Sequence, residues 1–299
     1  MRKELVLPLT ALVGGAAGFF LRRWELSSAF EADTGLPVSG ASATLALFAL
    51  SAVLFLALAI LSWGTGRGFQ GSYDEAFQTT GNTPYLVGMI ASAFLMAGAG
   101  ALLLAQAGGI LSGSTAGAGL SGFLGPLVAV GRELLLALLA LASAVSLFLL
   151  GKNNYRGEGR GDRSGCLLVP AYASCVWLIV SYLDHSGDPI VLDYVYQLFA
   201  VVASVLGCYF LAGFSYRRPK AFPAILFSLT AMYFCLVTLA DQHSAAYLLL
   251  YVSYFLYFGV SAGALLHNLD RPSGRRMPGG KRLPHTEEHF NQEETPDEG

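Results

Sequence analysis

Eight apolar stretches divide this chain, at residues 5–21, 42–62, 84–107, 134–150, 166–183, 194–213, 221–240 and 246–266, and none contains Asp, Glu, Lys, Arg or His. A hydrocarbon core about 30 Å thick is crossed by roughly 20 apolar residues in helical form. In lipid each segment must pair its own backbone polar groups, which selects helices. The expected fold class is all-α: a polytopic integral membrane protein whose eight transmembrane helices are arranged as four hairpins in a bundle, both termini cytoplasmic. A proline stands near the expected cytoplasmic start of each odd-numbered span, at Pro8, Pro84, Pro170 and Pro223, where a missing N–H costs little in the first helical turn.

The composition agrees with a membrane solvent: 54% apolar and 13% charged, against roughly 45–50% and 25% in soluble domains. The segments between the spans fall short of the roughly 50 residues a domain needs. No Gly-rich phosphate loop with its lysine occurs, so a built-in kinase, cyclase or ATPase module is excluded. The first span follows Arg2 and Lys3 like a signal peptide, but Arg22-Arg23-Trp24 follows it in place of a small-residue cleavage site; the reading is an uncleaved anchor.

Charge sets the expected orientation. Of 18 basic residues, 15 fall on the side of the termini and only Arg22, Arg23 and Arg132 on the other, which by the positive-inside rule places both termini in the cytoplasm of a plasma membrane. With the acidic residues counted in, the formal charge of −2 divides into +3 inside and −5 outside. The basic inner face suits anionic lipid headgroups, the expected membrane partner. Nucleic-acid binding is not suggested, while a protein partner or a homodimer remains open.

The expected organisation is a transmembrane lobe with spans 1–4 over residues 1–150, a charged Gly-rich cytoplasmic linker over 151–165, a second lobe with spans 5–8 over 166–267, and a disordered cytoplasmic tail over 268–299. Segment 108–126, rich in Gly, Ser, Thr and Ala, reads as a flexible external loop. Residues 69–77 read as a short interfacial helix with Phe and Tyr inward. Cys166, Cys175, Cys208 and Cys235 read as small buried hydrophobes, and no zinc-type ligand spacing occurs.

Three constellations are candidates for function. An external polar rim collects Arg22, Arg23, Trp24, Glu25, Arg132, Glu133, Asp184, His185, Asp188, Asp241 and His243 at about one depth. Its carboxylates and imidazoles suit a cation or polar ligand, and equally suit helix caps and mutual ion pairs. Arg22 and Arg23 oppose the positive-inside rule and so require compensation: one of them pairs with Glu133, Asp184 or Asp241 across the bundle, or both snorkel to headgroups. The second constellation is a mildly polar aromatic face over spans 5–8, with Ser181, Tyr194, Gln197, Ser204, Tyr247, Tyr251 and Tyr254 as cavity-lining candidates or as interhelical hydrogen-bonding residues. The third comprises Gly14, Gly18, Gly259 and Gly263, which allow close helix packing of the first span on the last or between two copies.

These features predict an accessory, sensory or scaffold membrane protein without a catalytic domain of its own. A channel or facilitator for a small neutral or lipid-like substrate through spans 5–8 is the alternative. No cofactor is indicated: all five histidines lie outside the spans as drawn, where a haem-binding anchor would embed them. No nucleophile–base set or metal-ligand set occurs away from the rim.

Overall fold

The computed structural model describes residues 3–31, 33–34, 36–66, 69, 73–114, 120–157, 164–216 and 218–269. Of the expected linker over 151–165, residues 151–156 and 164–165 are helical and 158–163 are not among the described residues; of the expected tail, residues 270–299 are not among them. The described residues form nine helices: α1 (Lys3–Ser28), α2 (Ser42–Ser62), α3 (Tyr73–Phe77), α4 (Thr83–Ser114), α5 (Leu120–Arg156), α6 (Ser164–Asp184), α7 (Val191–Gly213), α8 (Ala221–Thr238) and α9 (Ala245–Leu269). All but the short α3 are long and apolar enough to cross a membrane.

Several helices outrun their charge-free stretches. α1 continues through Arg22, Arg23 and Glu25, and α5 contains Arg132 and Glu133 within its length. Paired charges are compatible with a helix end that leaves the hydrocarbon, so the absence of charge underestimates helix length. The expected loop over 108–126 is corrected in part: residues 108–114 continue α4 and 120–126 belong to α5, while 115–119 lie outside the described residues. Continuing the helix pairs the backbone N–H and C=O groups that a loop would leave open, which offsets the low helix propensity of the glycines. Of the segment 69–77 expected to form a short helix, Tyr73–Phe77 is helical as α3, with Phe77 buried, and residues 70–72 are not among the described residues.

Helices α4 to α9 close on themselves. α4 packs on α5 and α9, α5 on α6, α6 on α7, α7 on α8 and α8 on α9. α1 and α2 pack on each other and against α8, which makes α8 the centre of the molecule: 72% of its span is buried, against 17% of α2. Small residues permit these approaches. A Cβ added at Gly18 would stand 2.7 Å from Val237, and one at Gly15 would stand 2.6 Å from Leu236, so α1 lies on α8 at a distance only glycine permits. Gly14 meets Leu54 of α2 in the same way, whereas Gly259 makes ordinary contact with Met232 and Gly263 faces open space. After α2 the chain turns at Gly66, whose φ of +69° and close approach to Ala221 both exclude a side chain.

Of the four cysteines, Cys208 and Cys235 are buried, Cys166 is half-buried, and Cys175 is exposed. Cys175 therefore departs from the expectation of burial, because a lipid-facing position satisfies a small apolar side chain as well as the core does.

Candidate functional site

At one end of the bundle the end of α1, the start of α7 and the α8–α9 turn converge on Arg22. Arg22 follows Gly18 by four residues and therefore shares the face that glycine presses against α8. Its guanidinium is wholly buried. Arg22 Nε donates to Asp241 Oδ1 at 2.7 Å and Nη1 to Glu25 Oε2 at 2.8 Å. Nη1 also donates to the Leu192 carbonyl at 3.2 Å, and Nη2 donates to the Asp193 carbonyl. The Tyr196 ring lies 5.1 Å from Arg22 Cζ, a cation–π distance. One cation thus ties α1 to α7 and to the turn after α8.

Glu25 is fully buried and Asp241 nearly so. Two carboxylates share one guanidinium, and Glu25 Oε1 and Asp241 Oδ2 are each left without a hydrogen bond of normal geometry. Burial is the largest effect on Asp241 and pushes its carboxyl up to about 6, against the pull of Arg22 and of the nearby Gln197 amide, while Asp193 adds to the rise. Two residues on, His243 is turned inward: Nε2–H donates to the Thr238 carbonyl at 2.9 Å and the ring lies 4.9 Å from that of Tyr251. Burial drives the imidazole down to about 4, so it is neutral at physiological pH.

A second set lies at the same end. Arg132 of α5 pairs with Asp184, the last residue of α6, at 2.5 Å, both side chains about 30% exposed. The neighbouring Glu133 accepts from the Tyr247 hydroxyl of α9 at 3.3 Å. His185 Nδ1–H donates to the Ser181 carbonyl at 2.8 Å, and its ring stacks on Tyr194 at 4.6 Å. Asp188 accepts from the Ile190 N–H at 2.9 Å, which shapes the turn into α7. Arg23 and Trp24 are exposed. The structure therefore gathers Arg22, Glu25 and Asp241 into one buried cluster and Arg132, Glu133 and Asp184 into a more exposed one. No group of three or more His, Cys, Asp or Glu among the described residues is arranged to hold a metal ion.

The aromatic face of the later helices is packed. Trp177 of α6 stacks on Tyr254 at 5.3 Å and touches Tyr251 at 4.8 Å, and the Tyr254 hydroxyl donates to the Pro170 carbonyl at 3.0 Å. Ser204 is buried and its hydroxyl donates to the Ala200 carbonyl at 2.7 Å. Tyr251, Tyr254 and Ser204 are therefore core residues, while Ser181, Tyr194, Gln197 and Tyr247 sit near the charged end.

Sequence reasoning did not single out a polar clamp at the opposite end. Asn154 Nδ2 donates to the hydroxyls of Tyr85 at 2.7 Å and Tyr73 at 3.1 Å, and its carbonyl accepts from the Thr79 N–H at 3.2 Å. Asn268 Nδ2 donates to the carbonyls of Ala76 and Gln78 at 2.8 and 3.0 Å. Together they fix α3 and its following turn between the ends of α5 and α9. Burial raises the Tyr73 phenol well above its ordinary value, so it stays neutral. The signal was an asparagine among charged linker residues, which reads equally as solvated loop.

No family model, curated protein or solved structure matches the chain.

Proposed function

We propose that the chain is an accessory, sensory or scaffold protein of the plasma membrane, its eight spans folded as four hairpins with both termini in the cytoplasm, and that it offers helix surfaces and an external rim to partners rather than a path for solute. The carrying observation is the filled interior of α6 to α9, where Trp177, Tyr251, Tyr254 and Phe258 are all at least 98% buried and joined by ring contacts of Trp177 with Tyr251 and Tyr254 and of Tyr254 with Phe258. The bias of 15 of 18 basic residues to one side supports the orientation. That orientation puts the Arg22 cluster at the external end, where a multi-span protein with little soluble mass meets ligands or neighbouring proteins.

Reconstitution tests this reading. Liposomes holding the purified protein are expected to pass glycerol, urea and short-chain alcohols no faster than protein-free liposomes, and crosslinking in native membranes is expected to retain a second membrane protein. Faster solute flux, abolished by Ser204→Trp in the α6–α9 interior, would overturn it in favour of a facilitator. Sidedness is read separately: a cysteine placed at Thr34 should react with an impermeant maleimide on intact cells, and one placed at Asn153 only after lysis.

A further inference from the structure

At the end of the bundle opposite Arg22, two turns meet. Gly66, in the turn after α2, comes so close to α8 that an added Cβ would stand 2.6 Å from the Ala221 Cβ. The same turn sets the Trp63 ring against Phe222 of α8, edge to face at 5.5 Å. The second turn joins α7 to α8 and is held by its own backbone: the Tyr216 and Arg218 N–H groups both donate to the Gly213 carbonyl, at 3.2 and 3.0 Å. Its side chains Tyr216, Arg218 and Lys220 are exposed, as is Trp63. Exposed Trp and Tyr at the ends of membrane-length helices mark the level of the lipid headgroups.

The charge at this junction is one-sided. Residues 63–73 and 211–224 contain Arg67, Arg217, Arg218 and Lys220 but no Asp or Glu. No ion pair among the described residues engages Arg218 or Lys220, although Asp74 and Glu75 stand exposed on α3. Cations at headgroup depth attract anionic lipid. A guanidinium and an ammonium two residues apart offer a phosphate both a planar donor fork and a point charge. The Trp63–Phe222 pair, which begins two residues after Lys220, adds apolar ring surface. The glycerol and first acyl carbons of a phospholipid can cover that surface, and a free phosphate ion cannot.

We propose that the junction of the turn after α2 with the α7–α8 turn binds the headgroup of an anionic phospholipid, its phosphate held by Arg218 and Lys220 and its glycerol end laid on the Trp63–Phe222 pair. This binding rests on the orientation inferred above only for its leaflet, the cytoplasmic one; it is measured without reference to sidedness, so the two readings fail separately. Native mass spectrometry of the full-length protein released from micelles tests it, with phosphatidylglycerol and phosphatidylcholine of identical acyl chains as probes. Phosphatidylglycerol is expected to bind roughly twentyfold more tightly than phosphatidylcholine. Arg218→Gln and Lys220→Gln are each expected to weaken phosphatidylglycerol binding about fivefold, the equivalent of about 1 kcal/mol per basic residue near an anionic surface, and to leave phosphatidylcholine binding unchanged. Lys152→Gln, which neutralises an exposed cation at the same end of the bundle on α5, is expected to change neither. Equal affinity for the two lipids, selectivity that survives in the double variant Arg218→Gln/Lys220→Gln, an equal loss in Lys152→Gln, or displacement of the lipid by an equal concentration of inorganic phosphate would each overturn the proposal.

Discussion

Arg22 and Asp241 stand 219 positions apart in the chain, yet the Arg22 Nε donates to Asp241 Oδ1 at 2.7 Å with neither side chain more than 4% exposed. The pair joins the end of α1 to the turn between α8 and α9. Leaving either group alone and buried is far more costly than the pair itself is stabilising. This asymmetry holds α1 in one register on α8.

The same turn carries two groups with opposite pH behaviour. Asp241 has its usual value of 3.8 raised to about 6 in the fold. The protonated form is favoured, so its contribution to stability is full at low pH and lost as pH rises through about 6. His243 has its usual value of 6.5 lowered to about 4. Its contribution is full above 6.5 and lost as pH falls towards 4. Between about pH 4 and 6 the two slopes oppose, each worth roughly 3 kcal/mol at most. Thermal melts of the detergent-solubilised protein should therefore vary little over this range. Asp241→Asn should lose stability as pH falls, and His243→Gln should gain it; melts of both variants that do not change with pH contradict the assignment.

Glycine positions on α1 and α9 should respond in opposite directions. Gly18→Ala forces a Cβ to within 2.7 Å of Val237 and should destabilise the protein by about 1–3 kcal/mol, the usual scale of overpacking. Gly263→Ala meets nothing within 4 Å and should stabilise its helix by roughly 0.5–1 kcal/mol. Unfolding in mixed micelles of graded denaturing-detergent content reads both.

Asn154→Ala removes the shared donor of Tyr73 and Tyr85, leaving two buried phenol oxygens that lose it. A cost of about 2–3 kcal/mol is expected, with loosening confined to α3 and its turn. Limited chymotrypsin digestion should then cut after Tyr73 or Phe77 several-fold faster than in the parent protein, with no new cleavage at the Arg22 end.

The eight membrane-length helices were legible because a run of about 20 apolar residues without charge has few other uses. Their ends were not. Reading α1 to stop at Leu21 ignored that Arg22 and Glu25, one turn apart, satisfy each other at 2.8 Å inside the helix. The need of Arg22 for a partner was also legible, from its conflict with the charge bias. Which carboxylate it meets was not, since that depends on how far Gly15 and Gly18 let α1 sink onto α8. The junction at the other end left no signal in sequence: Trp63 and Phe222 read as ordinary aromatics at the ends of spans. Only the approach of Gly66 to Ala221 sets them together at 5.5 Å.

A double-mutant cycle on Arg22 and Asp241 tests the clasp most directly. Arg22→Met alone leaves Glu25 and Asp241 buried without their cation and should cost about 3–5 kcal/mol. Asp241→Leu alone leaves the guanidinium with Glu25 and two carbonyls and should cost less. If the buried pair holds α1 to the α8–α9 turn, the double variant, unfolded in the same mixed micelles, should lose less than the sum of the two by about 1–3 kcal/mol. Additivity to within about 0.5 kcal/mol would contradict the account.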